Sequence, residues 1–426
     1  MRRSHHFVAA TLILVVAGSL STAAVATAAD TRWVAAGAQQ IGQSDKPVWS
    51  VSVSPTHPSL VLAATEGRGV LRSADSGATW SAVTPGVTGA WVVRFDSQQP
   101  ATAYAGTQVG GFLKSTDEGK SWTALNQGLP LDVRSIDVLG ATIVVGTAQG
   151  VYDSTDGATT WHALGLADLD VSSVALLAKP SGFSVFAGAD NGNAGAGYLL
   201  KSEDLTGSWR VMKGGFPSDA TIATIAVASK SSGGSDPPVV AGTSQGLFRS
   251  DDRGASWNPL NGLPTADFNL VLFNPANADQ IYAGSDADQG NGGVFRSLDR
   301  GASWSTLGSG LPVRPRITAL ALQALNPPEV LAAAWNPTTG QAGAYRIIDP
   351  AASVAGASAA PTPSVTVRAT TTPPVSAAAP AARRTGSTLS ISPSYVIALA
   401  VLVAIGLFVL VRRWRLRRED RRTYSP

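Results

Sequence analysis

The side chains that this chain could use for chemistry are carboxylates, arginines and tryptophans. It contains no cysteine and only four histidines, so thiolate nucleophiles and cysteine-held metals are excluded. His5 and His6 lie near the N-terminus, and His57 and His162 fall at or beside predicted turns. No histidine-based catalytic or zinc constellation is therefore expected. Paired carboxylates are the minimum for glycoside hydrolysis, whereas tryptophans with convergent polar groups suit a sugar or peptide surface.

The elements that must position these side chains are indicated by a repeat. One pattern recurs in six turns: a Ser, an Asp two residues after that Ser, and a Trp seven residues after the same Ser. The six turns begin 42, 39, 48, 48 and 47 residues apart. We call these the Ser–Asp turns. A period of this length is typical of propellers and other repeat proteins. The six aspartates are Asp75, Asp117, Asp156, Asp204, Asp252 and Asp299.

Each period also contains the same short apolar runs, which predict four strands per repeat and an all-β propeller. Seven first strands can be counted, but the seventh period, around 343–353, has lost its tryptophan and its fourth strand. Residues 31–34 contain a spare tryptophan, Trp33, near the start of the predicted mature chain. The sequence therefore predicts a seven-bladed β-propeller closed by an N-terminal strand, an arrangement that removes long exposed sheet edges.

The pattern S-x-D-x-G-x-x-W resembles the Asp-box, or BNR, repeat of the sialidase-like superfamily. The chain is also similar to photosystem II stability/assembly factor-like and sortilin-type propellers. The resemblance covers roughly residues 30–350 and implies a structural role for the six aspartates, in the turn between the third and fourth strands. Ala158 and Thr206 stand where the pattern has Gly, so those two turns are expected to be strained or differently shaped.

Candidate binding residues follow from where the first strands begin. First strands line the channel of a propeller, and their starting ends lie on the face opposite the Ser–Asp turns. Residues repeated in every blade form the scaffold, so residues that break the repeat on this face are the candidates. They are Trp49, Trp91, Asp132, Arg134, Asp170, Asp267, Asn269, Arg316 and Trp335.

These residues favour a non-catalytic binding or scaffolding module for an extracytoplasmic protein or glycan. The alternative is a glycoside hydrolase, sialidase-like or another polysaccharide-cleaving enzyme. Its carboxylates would be two of Asp132, Asp170, Asp267, Asp286 and Asp288. A sialidase arginine triad is not evident, because the arginines before the turns recur in phase. It also stays open that the tryptophans plug the channel and the charges form a solvated rim.

No cofactor and no metal site are predicted. One segment, DADQGNGG (286–293), invites a calcium interpretation, but it lacks the third oxygen ligand and the distal glutamate of a calcium loop. A flexible turn is the other interpretation of this segment.

The two ends of the chain predict export and a membrane anchor. Residues 1–29 have the basic, apolar and small-residue regions of a signal peptide, and 30–350 form the propeller. Residues 351–393 are a Pro/Ala/Ser/Thr-rich stalk, 394–411 an apolar transmembrane helix, and 412–426 a basic tail. The arginines after the helix place the tail in the cytoplasm and the body outside.

The net charge of +3 belongs to the ends of the chain. Arg2, Arg3 and a tail carrying +5 leave about −4 on the remainder. A mildly acidic body lacks the basic footprint that nucleic acid requires, so the predicted partners are a protein or glycan and, through one helix, a membrane.

Overall fold

The computed structural model describes residues 32–36, 41, 46–190, 197–229, 236–263, 267–286, 292–312, 315–323, 325–336 and 338–353. Within these ranges lie 28 β-strands and one short 3-10 helix, Pro350–Ala352. In this part of the chain no helix is long and apolar enough to cross a membrane. The predicted signal peptide, transmembrane helix and basic tail lie outside the described residues, as does the stalk beyond residue 353.

Strands of alternating or continuous apolar residues, separated by Gly-, Pro- and Asp-rich turns, form seven antiparallel sheets of four strands each. The N-terminal strand is β1 (Val34–Ala35). The first three sheets contain β2 (Val48–Val53), β3 (Val61–Thr65), β4 (Gly69–Ser73), β5 (Ser81–Ala82), β6 (Ala90–Phe95), β7 (Ala103–Thr107), β8 (Phe112–Ser115), β9 (Thr123–Ala124), β10 (Val133–Leu139), β11 (Thr142–Thr147), β12 (Gly150–Ser154) and β13 (His162–Gly165).

The next three sheets contain β14 (Asp170–Ala178), β15 (Phe183–Asp190), β16 (Gly197–Glu203), β17 (Trp209–Val211), β18 (Ile222–Val227), β19 (Val239–Thr243), β20 (Gly246–Ser250), β21 (Asn258–Leu260), β22 (Phe268–Asn274), β23 (Asn277–Ser285), β24 (Val294–Ser297) and β25 (Ser305–Thr306). The last sheet combines β26 (Arg316–Gln323), β27 (Glu329–Asn336) and β28 (Gln341–Ile348) with β1. The predicted seven-bladed propeller is confirmed.

The ring closes through hydrophobic contact as well as strand pairing. Each first strand contacts the first strands of the two neighbouring sheets, and β2 meets β26. Seven clusters of buried apolar side chains fill the seven spaces between adjacent sheets. Burial of this apolar surface stabilises the ring.

The seventh sheet is completed by the N-terminal strand, as the sequence predicts. Val34 pairs with Arg346 and Ala35 with Tyr345. Trp33, which precedes β1, is 3% exposed, and its indole N–H donates to the Leu307 carbonyl over 2.6 Å. Both β1 residues are themselves exposed, so the buried indole is the main anchor of this strand.

Five of the six Ser–Asp turns share one set of hydrogen bonds. In the turn at Ser115, the hydroxyl donates to Asp117 over 2.8 Å and accepts the Gly119 N–H. Asp117 also accepts the Ser121 N–H and hydroxyl. The hydrogen bond from the Ser121 hydroxyl is the largest of several contributions that lower the Asp117 pKa to about 2. Each of these five aspartates thus accepts hydrogen bonds from within its own turn.

The two turns without the expected Gly differ from the other four, each in its own way. Ala158 keeps the hydrogen-bond pattern but adopts φ +76°, a conformation strained for a residue with a Cβ atom. In the fourth turn, Asp204 forms an ion pair with Lys179 over 2.7 Å. The Ser202 hydroxyl there has no hydrogen-bond partner among the described residues. Asp204 thus departs from the structural role that the resemblance implies for it.

Candidate functional site: the channel mouth

A β-bulge at the same point of every first strand positions the candidate site. In β2 the pairing with β3 skips one residue between Val48 and Ser50, and the other six first strands skip at the equivalent position. A bulged residue leaves the ladder and its side chain is re-aimed. The seven skipped residues are Trp49, Trp91, Arg134, Ser172, Ala223, Asn269 and Thr318.

All seven bulge residues line one cavity of about 510 Å³, together with Leu270 and Ile317. We call this cavity the channel mouth. Its lining is uneven: Trp49, Trp91 and Arg134 are consecutive around the ring, whereas Ser172 and Ala223 on the next two blades are small. The large side chains therefore occupy one side of the cavity and leave space on the other.

Two tryptophans form the aromatic wall of the channel mouth. The rings of Trp49 and Trp91 lie 5.5 Å apart between centroids and are tilted by 50°. The Trp91 indole N–H donates to Asp132 over 2.7 Å, which fixes that ring. Both tryptophans are partly exposed, so a ligand in the cavity could contact them.

Arg134 links the aromatic wall to two carboxylates. Its guanidinium carbon lies 5.9 Å from the centroid of the Trp91 ring, and its Nη2 lies 3.1 Å from Asp132. Its Nη1 pairs with Asp170 on the neighbouring blade. Burial alone would lower the Arg134 pKa, but the hydrogen bonds and charges of Asp132 and Asp170 raise it. One guanidinium thus bridges two carboxylates, and the group as a whole retains an excess negative charge.

A second cluster lies on the sixth and seventh blades. Arg316 is 2.9 Å from the largely buried Asp286, and its guanidinium carbon lies 5.9 Å from the Trp335 ring centroid. Asp267 is exposed, and its backbone carbonyl accepts the Asp286 N–H over 3.2 Å. This cluster repeats the arginine, carboxylate and tryptophan chemistry of Arg134.

The structure therefore divides the predicted site residues into three groups. Trp49, Trp91, Arg134 and Asn269 line the channel mouth, and Asp132 and Asp170 hold Arg134. Arg316 and Trp335 belong to the second cluster, and Asp267 contacts this cluster through its backbone carbonyl but does not line the channel mouth. Asp288 and most of the 286–293 segment lie outside the described residues.

The sequence names Asp286 only as a candidate hydrolytic carboxylate and does not predict its ion pair with Arg316. Sequence reasoning missed a pair of exposed aliphatic residues near this face, Val109 (69% exposed) and Leu131 (51%). The only available signal for this pair was their position, in a second-to-third turn and in the connection entering β10. Across the described ranges, no cluster of three His, Cys, Asp or Glu residues could hold a metal ion.

Comparison with known proteins supports the fold. No protein-family model and no curated protein matches the chain. Among solved structures, the GH74 enzyme of Niastella koreensis aligns with a TM-score of 0.51 and 16% identity, over 74% of this chain and 58% of the enzyme. YCF48 bound to D1 peptide aligns with a TM-score of 0.54 and 16% identity, over 75% of this chain and 97% of YCF48.

A third similar structure is the extracellular domain of the one component system BT4673 of B. thetaiotaomicron. Its TM-score is 0.55 at 12% identity, over 74% of this chain and 40% of that one. This chain thus spans well under two thirds of the GH74 enzyme and of the BT4673 domain, and nearly all of YCF48. At such low identities, these similarities establish the propeller fold.

Proposed function

We propose that this protein is a non-catalytic binding module that holds an extracytoplasmic ligand at the channel mouth. The observation that carries the proposal is the convergence of seven bulge residues, with Trp49, Trp91 and Arg134 together on one wall. Tryptophan and arginine are over-represented among the residues that dominate binding energy at interfaces. A cavity of about 510 Å³ lies in the ordinary size range of ligand sites.

The carboxylates near this site are arranged for recognition. Asp132 and Asp170 both contact the guanidinium of Arg134, and Asp132 also accepts the Trp91 indole N–H. A glycoside hydrolase needs one carboxyl group that gives a proton and a second that acts as base or nucleophile. Two carboxylates held by the same cation are poorly suited to that division of roles.

Glycoside hydrolysis is the alternative function, since the fold occurs both in a GH74 enzyme and in YCF48 bound to a peptide. We further propose that the propeller is exported and held at the cell membrane by residues 394–411, with the basic tail inside. The leader, the uncharged C-terminal run and the arginines that follow it support this topology.

The test is a binding measurement on the purified full-length chain, with a glycan array and a displayed random-peptide library as probes. For any probe that binds, Arg134→Ala and Trp91→Ala should weaken affinity at least about tenfold, or 1.4 kcal/mol. Arg210→Ala is the matched control, because this arginine is 69% exposed on an outer strand and should leave affinity unchanged.

The same preparations separate binding from catalysis. Polysaccharide substrates should remain intact during incubation with the wild-type chain. Hydrolysis that disappears in Asp132→Asn or Asp170→Asn would instead establish the alternative function. Melting temperatures measured in parallel would show that the variants are folded.

A further inference from the structure

We infer that the ligand of the channel mouth is a polypeptide segment that carries both basic and aliphatic side chains. This inference rests on the proposed binding function and names the class of ligand. Two independent observations carry it: the charge balance around the mouth, and an exposed aliphatic patch that continues from it.

The face that contains the channel mouth is acidic. On this face, charged residues lie within two positions of a first-strand start or a second-strand end, or in a second-to-third turn. In the described ranges these are seven carboxylates and four cationic side chains. The carboxylates are Glu66, Asp132, Asp168, Asp170, Asp190, Asp267 and Asp286, and the cations are Lys46, Arg68, Arg134 and Arg316.

One of the three excess negative charges lies beside the cavity. Arg134 contacts both Asp132 and Asp170, so these three groups together carry one uncompensated negative charge. Trp49 and Trp91 line the cavity, and aromatic rings attract cations, as the contact of Arg134 with the Trp91 ring already shows. A lysine or arginine side chain that enters the channel mouth would lie close to this negative charge and to the tryptophan rings. Opposite electrostatic potentials on two partners favour their association.

The aliphatic patch lies immediately beyond this charged group. Leu131 precedes Asp132, whose carboxylate holds Trp91. The Leu131 carbonyl accepts the N–H of Gly111 over 2.9 Å, which places the turn that carries Val109 next to it. Val109 is 69% exposed, the highest value among the exposed large hydrophobic residues of the described chain, and Leu131 is 51% exposed.

An exposed aliphatic patch beside an aromatic cavity, with the carboxylates of Asp132 and Asp170 next to it, distinguishes between the two ligand classes. Sugars are bound through aromatic faces and hydrogen bonds to hydroxyl groups, and gain little from valine and leucine. Polypeptides bring aliphatic side chains of their own, and their burial against Val109 and Leu131 would be favourable because it removes apolar surface from water. An extended segment with a basic residue in the mouth and an aliphatic residue on the patch satisfies both surfaces.

The experiment uses a phage-displayed library of random dodecapeptides, selected on the immobilised full-length chain. Retained peptides should be enriched in Lys or Arg together with Leu, Ile or Val. Selection on an Asp132→Asn/Asp170→Asn variant should lose the basic enrichment. Peptides selected on Val109→Ser/Leu131→Ser should lose the enrichment in Leu, Ile and Val. This variant leaves the residues that line the cavity unchanged. Val211→Ser, an exposed residue on the outer strand β17, is the matched control and should change neither.

A synthetic peptide from the selection then gives the magnitudes. Replacing its basic residues with Glu should weaken binding to the wild-type chain at least tenfold, and Val109→Ser/Leu131→Ser at least fivefold. Acidic or charge-indifferent peptides would overturn the inference while leaving the binding function in place. Glycan binding without peptide enrichment would do the same. Failure of both the peptide library and the glycan array would remove the proposed function as well.

Discussion

Replacing Trp33 with Ala should open the ring of this propeller. The indole is 3% exposed and packs in the cluster between the sixth and seventh sheets with Tyr282, Leu307 and Ile317. Truncating a buried tryptophan to alanine costs about 3–5 kcal/mol. About 1 kcal/mol of this is the hydrogen bond from the indole to the Leu307 carbonyl.

The effect should far exceed what strand β1 contributes by itself. This strand has two residues, and Val34 is 56% exposed. Val34→Ala is therefore the matched control, with an expected change in the free energy of unfolding within about 0.5 kcal/mol. Trp33→Phe retains much of the packing and loses the N–H donor, so it should lie between the two.

The assay is urea unfolding of the three variants and the wild type, followed by far-UV circular dichroism. With a slope of about 3 kcal/mol per molar urea, Trp33→Ala should lower the midpoint by roughly 1–1.7 M. Amide exchange in β28 should also accelerate, because β1 is its outer partner. A loss below 1 kcal/mol for Trp33→Ala, or equal losses for Trp33→Ala and Val34→Ala, would refute the argument that the indole closes the ring.

Two further predictions concern the Ser–Asp turns. The Asp117 pKa is lowered to about 2, first by the Ser121 hydroxyl, so its stabilising effect should be complete above about pH 4 and disappear as the pH falls towards 2. Urea unfolding at pH 2–5 should give a shallower pH dependence for Asp117→Asn, and an unchanged slope would contradict this. Ala158→Gly should stabilise the protein by about 0.2–1.2 kcal/mol, because relief of about 1–2 kcal/mol of strain at φ +76° exceeds about 0.8 kcal/mol for the lost buried methyl. In contrast, Gly119→Ala should destabilise the protein, because the new Cβ would lie 2.7 Å from Leu62. Thermal melts measure both variants. A higher melting temperature for Gly119→Ala, or a lower one for Ala158→Gly, would contradict the argument from backbone strain.

The positions of the channel-mouth residues could be predicted because they are repeated. Counting from one repeat to the next identifies equivalent residues, and this correctly grouped Trp49, Trp91 and Arg134 at the starts of first strands. It could not reveal the bulge that turns each of them into the cavity. A bulge depends on the pairing of two strands and has no signature in the spacing of one.

The interactions between blades could not be predicted in the same way. Asp132, Arg134 and Asp170 were all candidates, yet their joining into one ion-paired group depends on the distance between two adjacent blades. The same holds for Asp286, which pairs with Arg316 of the next blade. Such side-chain pairs result from packing angles that no single repeat encodes.

The sequence by itself determined the all-β class, the seven blades, the face that carries the Ser–Asp turns, and the role of Trp33 in closing the ring. These features are local or periodic, so spacing and residue type are enough to specify them. The tertiary structure alone decided which side chains meet at the channel mouth, and that the exposed residues Val109 and Leu131 lie on neighbouring connections. Those contacts join residues from different blades, and their geometry is fixed only when the ring is closed.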